Sequence, residues 1–300
     1  MGCDYPLKAY RTEENHPSGK AILTFNPIRA RNSDNPITVP CGRCTGCRVD
    51  KSREWALRIV HESKLYDENS FITLTYDDQH LPRDYSIHLE HWQLFMKRLR
   101  FEVEPKKIRF YACGEYGEKT LRPHYHAIIF NHQFTPKTLW SNNRGNKLYT
   151  SPQLTKLWPY GLATLGHVSY QSAAYVARYM MKKITGDQST EYYTRVHPLT
   201  DSINVVNPEF AVMSRMPGLG YGWLKRFKDD YFPSDFCVHD GVKHPVPRYY
   251  EKILAEEELK TLKRNRKRSA LKYKPDQKPH RLRARAIVRD ARMRNISRGL

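Results

Sequence analysis

The chain has 300 residues, with 51 Lys and Arg against 31 Asp and Glu, a formal charge of +20 that excludes an ordinary cytosolic binder of acidic ligands and makes nucleic acid the leading partner class. At 39% apolar and 12% aromatic residues it is too hydrophobic for a disordered basic tail and can bury one sizeable core. No run approaches the roughly 20 apolar residues of a membrane span, and Met1 to Tyr10 lacks a signal-peptide pattern, so a cytosolic setting without a membrane partner is expected.

Residues 1–50 are turn-rich, with Pro6, Pro17, Pro27, Pro36 and Pro40, and they hold four of the six cysteines. From Val49 to about Tyr66, Trp55, Ile59 and Tyr66 recur at helical spacing and predict an amphipathic helix. Ser70 to Tyr76 is β-branched and aromatic, which predicts a buried strand that stops at Asp77-Asp78. A helix follows from about Leu89 to Phe101, with Trp92, Phe95, Met96 and Leu99 on one face. Ile108 to Cys113 predicts a second strand, and Gly114 to Pro123 its loop. His124 to Phe130 predicts a third, with His124, His126, Ile128 and Phe130 sharing a face.

Ser151-Pro152 reads as a cap and first-turn proline opening a short helix to Trp158. Gly161 to Val168 predicts a fourth strand, and Ser169 caps a helix from Tyr170 to about Ile184. Gly186 to Asp201 reads as loop. Met216 to Gly222 is a tight-turn region; it reads as a plain turn or as a close approach to a phosphate backbone. Beyond Tyr250 the chain is helix-forming and basic, interrupted at Pro275 and Pro279. From Lys260 to Leu300, 16 bases face two acids, a net +14 that leaves +6 for the rest.

No strand leads into a glycine-rich phosphate loop, which disfavours a doubly wound fold. An α+β arrangement, with a mixed or antiparallel sheet and helices on one face, fits better. The expected division is a cysteine-rich segment 1–50, a domain 51–250 and a basic helical tail 251–300.

Cys41-Gly-Arg-Cys44-Thr-Gly-Cys47 is expected by chance about 0.002 times in such a chain, so its spacing carries information. Thiolates at this spacing converge from a tight turn, with Gly42 and Gly46 letting backbone amides face the sulfurs. Three thiolates leave a tetrahedral zinc one ligand short. Cys3 is the obvious fourth, since Cys113 falls in a core strand and Cys237 is distant in the chain. Structural zinc is the leading reading for a cytosolic chain; an iron–sulfur cluster and unliganded thiols are the alternatives.

His124-Tyr125-His126 occurs by chance about 0.5 times at this histidine content, and two polar side chains at a strand start would explain it. On a strand, however, residues two apart share a face, so the imidazoles converge on one point. Glu115 is better placed than Glu118 to add the oxygen ligand that a hard divalent cation needs, against the alternative of a solvated loop carboxylate. Tyr175-Val-Ala-Arg178-Tyr179-Met-Met-Lys182 places a tyrosine followed three later by a base, twice, on one helical stripe. Such i, i+4 aromatics are usually core. A tyrosine nucleophile, with a free pKa of about 10, needs a cation near its developing phenolate, which Arg178 and Lys182 would supply.

Taken in order, a Phe-Ile-Thr-Leu-Thr-Tyr strand, a Glu and then a His-Tyr-His strand, and a Tyr-x-x-x-Tyr helix resemble the three-motif pattern of the HUH endonucleases, the rolling-circle replication initiators. Cys41 to Arg48, Ser52-Arg-Glu-Trp55-Ala, Phe71 to Asp77, Gly114-Glu-Tyr-Gly117, Arg122-Pro-His-Tyr-His126 and Tyr175-Val-Ala-Arg-Tyr179 together resemble, more closely, the replication initiation proteins of small single-stranded DNA phages, in the gokushovirus branch of the microviruses. Ser214 to Gly220 extends the similarity, and the basic tail lies outside it.

The resemblance implies an RRM-like central antiparallel sheet of about five strands with flanking helices, the histidines on its open face and the tyrosine helix alongside. It implies Mg²⁺ or Mn²⁺ on His124, His126 and Glu115. It also implies nicking of origin DNA to a 5′-phosphotyrosine and a free 3′-OH primer, then strand transfer by a second tyrosine, with Tyr175 and Tyr179 in those roles. The implied partners are single-stranded origin DNA and a host polymerase and helicase, in the cytoplasm of a bacterial host, with no small-molecule substrate. An HUH transposase or relaxase and a non-catalytic zinc-containing DNA-binding regulator are the rivals.

Overall fold

The computed structural model describes residues 2–297 except 18, 20, 119, 144, 180–182, 185, 187, 198 and 199. The chain divides into two compact units, Met1–Lys51 with Glu256–Leu300, and Ser52–Ala255. The cysteine-rich segment and the basic tail therefore fall in one unit.

In that unit β1 (Leu7–Asn15) is the middle strand of a three-stranded antiparallel sheet, flanked by β2 (Ala21–Thr24) and β3 (Ile37–Val39). Ala9 is the one buried residue of β1, so these strands carry no apolar alternation by which the sequence could reveal them. The unit boundary falls inside α1 (Thr45–Ser63). The tail forms α8 (Glu256–Lys272) and α9 (Pro279–Ser297), separated near Pro275 as expected.

The larger unit continues with β4 (Asn69–Thr75), α2 (Leu89–Glu102), β5 (Arg109–Tyr116), β6 (Pro123–Phe130), β7 (Thr138–Asn143), β8 (Asn146–Thr150), α3 (Pro152–Leu157), β9 (Ala163–Gly166) and α4 (Tyr170–Tyr179). Next come α5 (Gln188–Tyr193), a hairpin of β10 (Thr194–Val196) and β11 (Ile203–Val205), β12 (Phe210–Met213), α6 (Tyr221–Arg226), α7 (Lys228–Tyr231) and a hairpin of β13 (Phe236–His239) and β14 (Val242–Pro245). The expected loop at 186–201 thus contains a short helix and a strand. Ser151 stands at the N-cap of α3 with Pro152 behind it, but its side chain makes no capping hydrogen bond. Among the described residues, no helix is long and apolar enough to cross a membrane.

The central sheet is antiparallel with strand order β12-β5-β6-β4-β9-β8-β7. It has seven strands, which corrects the expectation of about five. The added strands lie at its edges: the β7–β8 hairpin is largely exposed and β12 has only four residues, so neither gave a strong apolar signal. Helices also pack on both faces rather than one. Trp92, Phe95 and Leu99 of α2, with Leu154 of α3, join Ile72, Leu74, Tyr125, Ala127 and Ile129 in one core. On the other face Ala56, Ile59 and Val60 of α1 and Ala173 and Val176 of α4 join Tyr111, Cys113, Ile128 and Phe130. This explains why β6 is buried at nearly every position: a strand covered on both sides is apolar on both.

Candidate functional site

β5 runs on to Tyr116, so Glu115 is a strand residue and not a loop one, and it is buried. The register sets Glu115 directly opposite His124, with His126 opposite Cys113 on one side and Thr73 on the other. Period-two alternation then turns Glu115, His124 and His126 to the same face. Their ligand atoms all lie within 4.8 Å of one another. Glu115 Oε1 is 2.9 Å from His124 Nε2 and 3.2 Å from His126 Nε2. Burial works to raise the Glu115 pKa, but hydrogen bonds with His124 and His126 outweigh it and hold it down at about 2.

Each ring is oriented from behind. His124 Nδ1 lies 3.2 Å from the Arg122 carbonyl, which can only accept, so Nδ1 donates in that bond and Nε2 is the nitrogen turned toward Glu115. His126 Nδ1 is 2.9 Å from the Thr73 hydroxyl, and the Phe71 ring lies parallel to the imidazole at 5.9 Å. In the sequence Thr73 and Phe71 belong to a buried strand and to the Phe71 to Asp77 motif without any role at the site; their two-residue spacing, which puts them on one face, is the signal that could place them here. Two imidazoles and one carboxylate on a rigid sheet suit a divalent metal, with borderline nitrogen and hard oxygen donors together.

α4 brings both tyrosines to this centre. The Tyr175 hydroxyl is 3.5 Å from His126 Nε2 and its ring is 5.1 Å from the imidazole. The Tyr179 ring stacks on the same imidazole at 5.3 Å and 16°, and the two phenol rings meet edge to face at 4.7 Å. Burial pushes both phenol pKa values up, so neither is a phenolate at rest. The Arg178 guanidinium carbon lies 5.9 Å from the centroid of the Tyr175 ring. Lys182 lies outside the described residues. α4 is described as far as Tyr179, and Lys183 and Ile184 are not helical, so the helix expected to reach Ile184 is shorter.

In the other unit the sulfurs of Cys3, Cys41, Cys44 and Cys47 gather within 4.8 Å of one another, and none forms a disulfide. Cys41 and Cys47 sulfurs are 4.0 Å apart and those of Cys44 and Cys3 are 3.9 Å apart. A zinc–sulfur bond of about 2.3 Å in a tetrahedron gives edges of about 3.8 Å, so four thiolates at this spacing fit one metal ion. Amides of Asp4 and Cys47 donate to Cys44 Sγ at 3.3 and 3.4 Å, and that of Cys41 to Cys3 Sγ at 3.3 Å. Burial disfavours the Cys41 thiolate, but amide hydrogen bonds from Cys44 and Arg43 outweigh it and bring its pKa down to about 7. Gly46 is required by close approach, because a Cβ there would run into the Gly2 carbonyl and the Arg289 guanidinium.

Buried Asp4, 2% exposed, accepts from the Gly46 amide at 3.0 Å and pairs with Arg289 of α9. Arg289 also donates to the Gly2 carbonyl at 2.7 Å, and Arg285 to that of Cys3 at 3.3 Å. Nothing in the sequence signalled that basic residues of the tail meet the cysteine loop, because their partners are an isolated acid and backbone carbonyls some 280 positions away.

Fold and site define an α+β protein whose sheet carries a carboxylate–histidine centre faced by two tyrosines. Residues 69–184 match the family of replication-associated proteins ORF2/G2P. Over 264 residues the chain is 35% identical to replication-associated protein VP4 of Bdellovibrio phage phiMH2K, spanning 84% of this chain and 76% of that protein. It is 32% identical over 275 residues to replication-associated protein ORF2 of Spiroplasma virus 4, spanning 86% and 81%. It is also 31% identical over 228 residues to replication-associated protein ORF4 of Chlamydia phage 1, spanning 72% and 53%. No solved structure matches the chain. The chain belongs to the family of phage replication-associated proteins, the replication initiators.

Proposed function

We propose that this protein begins rolling-circle replication of a single-stranded DNA phage genome by nicking the origin with one tyrosine and rejoining the strand with a second, as an HUH endonuclease. The observation that carries this reading is that Tyr175 and Tyr179 both rest on one imidazole, His126, of the carboxylate–histidine centre. Two phenols that reach one centre are what alternate cutting requires. Glu115, His124 and His126 would hold Mg²⁺ or Mn²⁺, which when bound supplies Lewis-acid polarisation of the scissile phosphate.

A phenol oxygen bonds to phosphorus, the phosphorus–O3′ bond breaks, and the phenol proton leaves as the 3′-oxygen gains one. The products are a 5′-phosphotyrosine and a free 3′-OH. Since burial keeps both phenols protonated, a nearby cation must favour the developing phenolate, a role for Arg178 and, from its place in the sequence, Lys182. A host polymerase extends the 3′-OH, with a host helicase opening the template, in the cytoplasm of the bacterial host. The second tyrosine later cuts the regenerated origin, and the released 3′-OH displaces the first tyrosine to close the circle. Cys3, Cys41, Cys44 and Cys47 would hold a structural Zn²⁺, since four thiolates leave no open position.

Incubation with origin-containing single-stranded DNA and Mn²⁺ should give a covalent peptide–DNA adduct on Tyr175 or Tyr179, lost when the mapped tyrosine is changed to Phe. Equal nicking by the parent, His124→Ala and the Tyr175→Phe, Tyr179→Phe double variant would refute the assignment. A protein that binds the DNA without any metal-dependent nick would be a regulator instead.

A further inference from the structure

Ser214 to Gly220 follows β12 and takes no part in the chemistry above, yet its base is held by side chains from several elements. The buried Leu219 offers its carbonyl to Arg58 Nε at 3.1 Å, and the Pro217 carbonyl accepts from Arg109 Nη2 at 2.6 Å. The Gly220 amide donates to Glu62 Oε2 at 2.7 Å and the Gly218 amide to the Tyr249 hydroxyl at 3.0 Å. Arg58 and Glu62 are themselves buried. The Arg58 guanidinium lies between the Trp55 and Tyr249 rings, 4.0 Å from each centroid, and Glu62 pairs with Arg109 at 2.6 Å. Buried charge is costly unless fully partnered, and here the backbone of one turn supplies partners to three charged side chains.

The tip carried on this base is the opposite in character. Arg215, Met216 and Pro217 are exposed, and Met216 is 94% exposed. An apolar side chain in water on a fixed turn adds nothing to the core and is free to meet a partner outside. A cation beside a thioether and a proline matches one ligand chemistry well. The guanidinium suits a phosphate, and Met and Pro are among the side chains that insert between base steps of DNA.

The turn also leaves the sheet at a defined point relative to the metal centre. β12 ends at Met213, which pairs with Tyr111, four residues before Glu115 on β5. At about 3.3 Å per residue the end of β12 lies roughly 13 Å along β5 from Glu115, a span that a few nucleotides of bound strand would cover.

We propose that Met216 is a wedge that enters between two bases of the bound DNA strand a few nucleotides from the phosphate at Glu115, with Arg215 on an adjacent phosphate. The wedge keeps the strand unstacked and fixes its register at the centre. This rests on the DNA-nicking reading above.

The test uses the full chain and origin-containing 30-nucleotide single strands in which 2-aminopurine, brighter when unstacked, is moved through successive positions. The parent should brighten the probe at one or two adjacent positions on binding. Met216→Ala should abolish that rise and weaken binding roughly tenfold, while Met216→Leu restores both. Arg215→Ala should keep the rise and lower the slope of log affinity against log salt by about 1. Because Met216 is exposed, an unchanged melting temperature checks that the fold is intact. A Met216→Ala protein that binds and brightens the probe like the parent overturns the wedge while leaving the nicking reading standing. A parent that binds no DNA overturns both.

Discussion

His126 shows how much one residue can depend on its neighbours in the sheet. Its imidazole is held by Thr73, lies parallel to Phe71, faces Glu115 and carries both tyrosine rings. The histidines, tyrosines and cysteines were legible in the sequence because their chemistry is scarce and their spacing regular. Thr73 and Phe71 were not, because a β-branched or aromatic residue in a strand needs no further explanation. His61 on α1 was not legible either, because a single histidine in a helix carries no spacing signal. It is buried, bonds the Tyr250 hydroxyl at 2.7 Å and stacks on Trp223 at 5.5 Å, and burial presses its pKa down to about 3.

Unfolding frees His61 to take a proton near its ordinary value of 6.5. Falling pH therefore favours the unfolded chain between about 6.5 and about 3, by up to about 1.4 kcal/mol per pH unit from this group. Above 6.5 the contribution does not vary. Urea unfolding at pH 7.5 and 5.5 should show this loss in the parent, and His61→Phe should reduce the difference between the two pH values by about 1 kcal/mol. An unchanged difference would show that His61 is not the neutral group responsible.

Among the elements, legibility followed burial. β4, β6 and α2 were readable because each buries a continuous or periodic apolar set. The β1–β3 sheet, the β7–β8 hairpin and the β10–β11 hairpin are largely exposed and show no such pattern. Period also cannot say which side a strand's neighbours occupy, so the second helical layer was not foreseen. The turn after β12 was readable as a turn but not as an anchored one, since its partners lie in α1, in β5 and at Tyr249. Gly220 adopts φ +79, and an added Cβ would run into the Tyr250 hydroxyl. Gly220→Ala should therefore destabilise the protein by about 2–3 kcal/mol in chemical denaturation, whereas Met216→Ala should stay within about 0.5 kcal/mol of the parent. Near-parental stability of Gly220→Ala would mean that the turn yields easily and is not a fixed base.

At the scale of the molecule, the charge divides into a body at +6 and a tail at +14. Composition pointed to nucleic acid but could not show that Arg285 and Arg289 are engaged with the cysteine loop through Asp4 and two carbonyls. The tail's other bases include Lys263, Arg264, Lys267 and Arg268 on α8, all exposed. Deleting 279–300 should flatten the dependence of single-stranded DNA affinity on salt, because fewer counterions are released. A slope equal to the parent's would remove residues 279–300 from DNA binding.

The clasp between Asp4 and Arg289 also dictates an order of events on the ribosome. The cysteine loop emerges first, yet its buried acid waits for an arginine translated some 285 residues later. At about 5–20 residues per second that is an interval of at least roughly 14 s. Residues 52–255 are complete before the smaller unit can close, so a chain released early would expose its thiols while retaining its tyrosines.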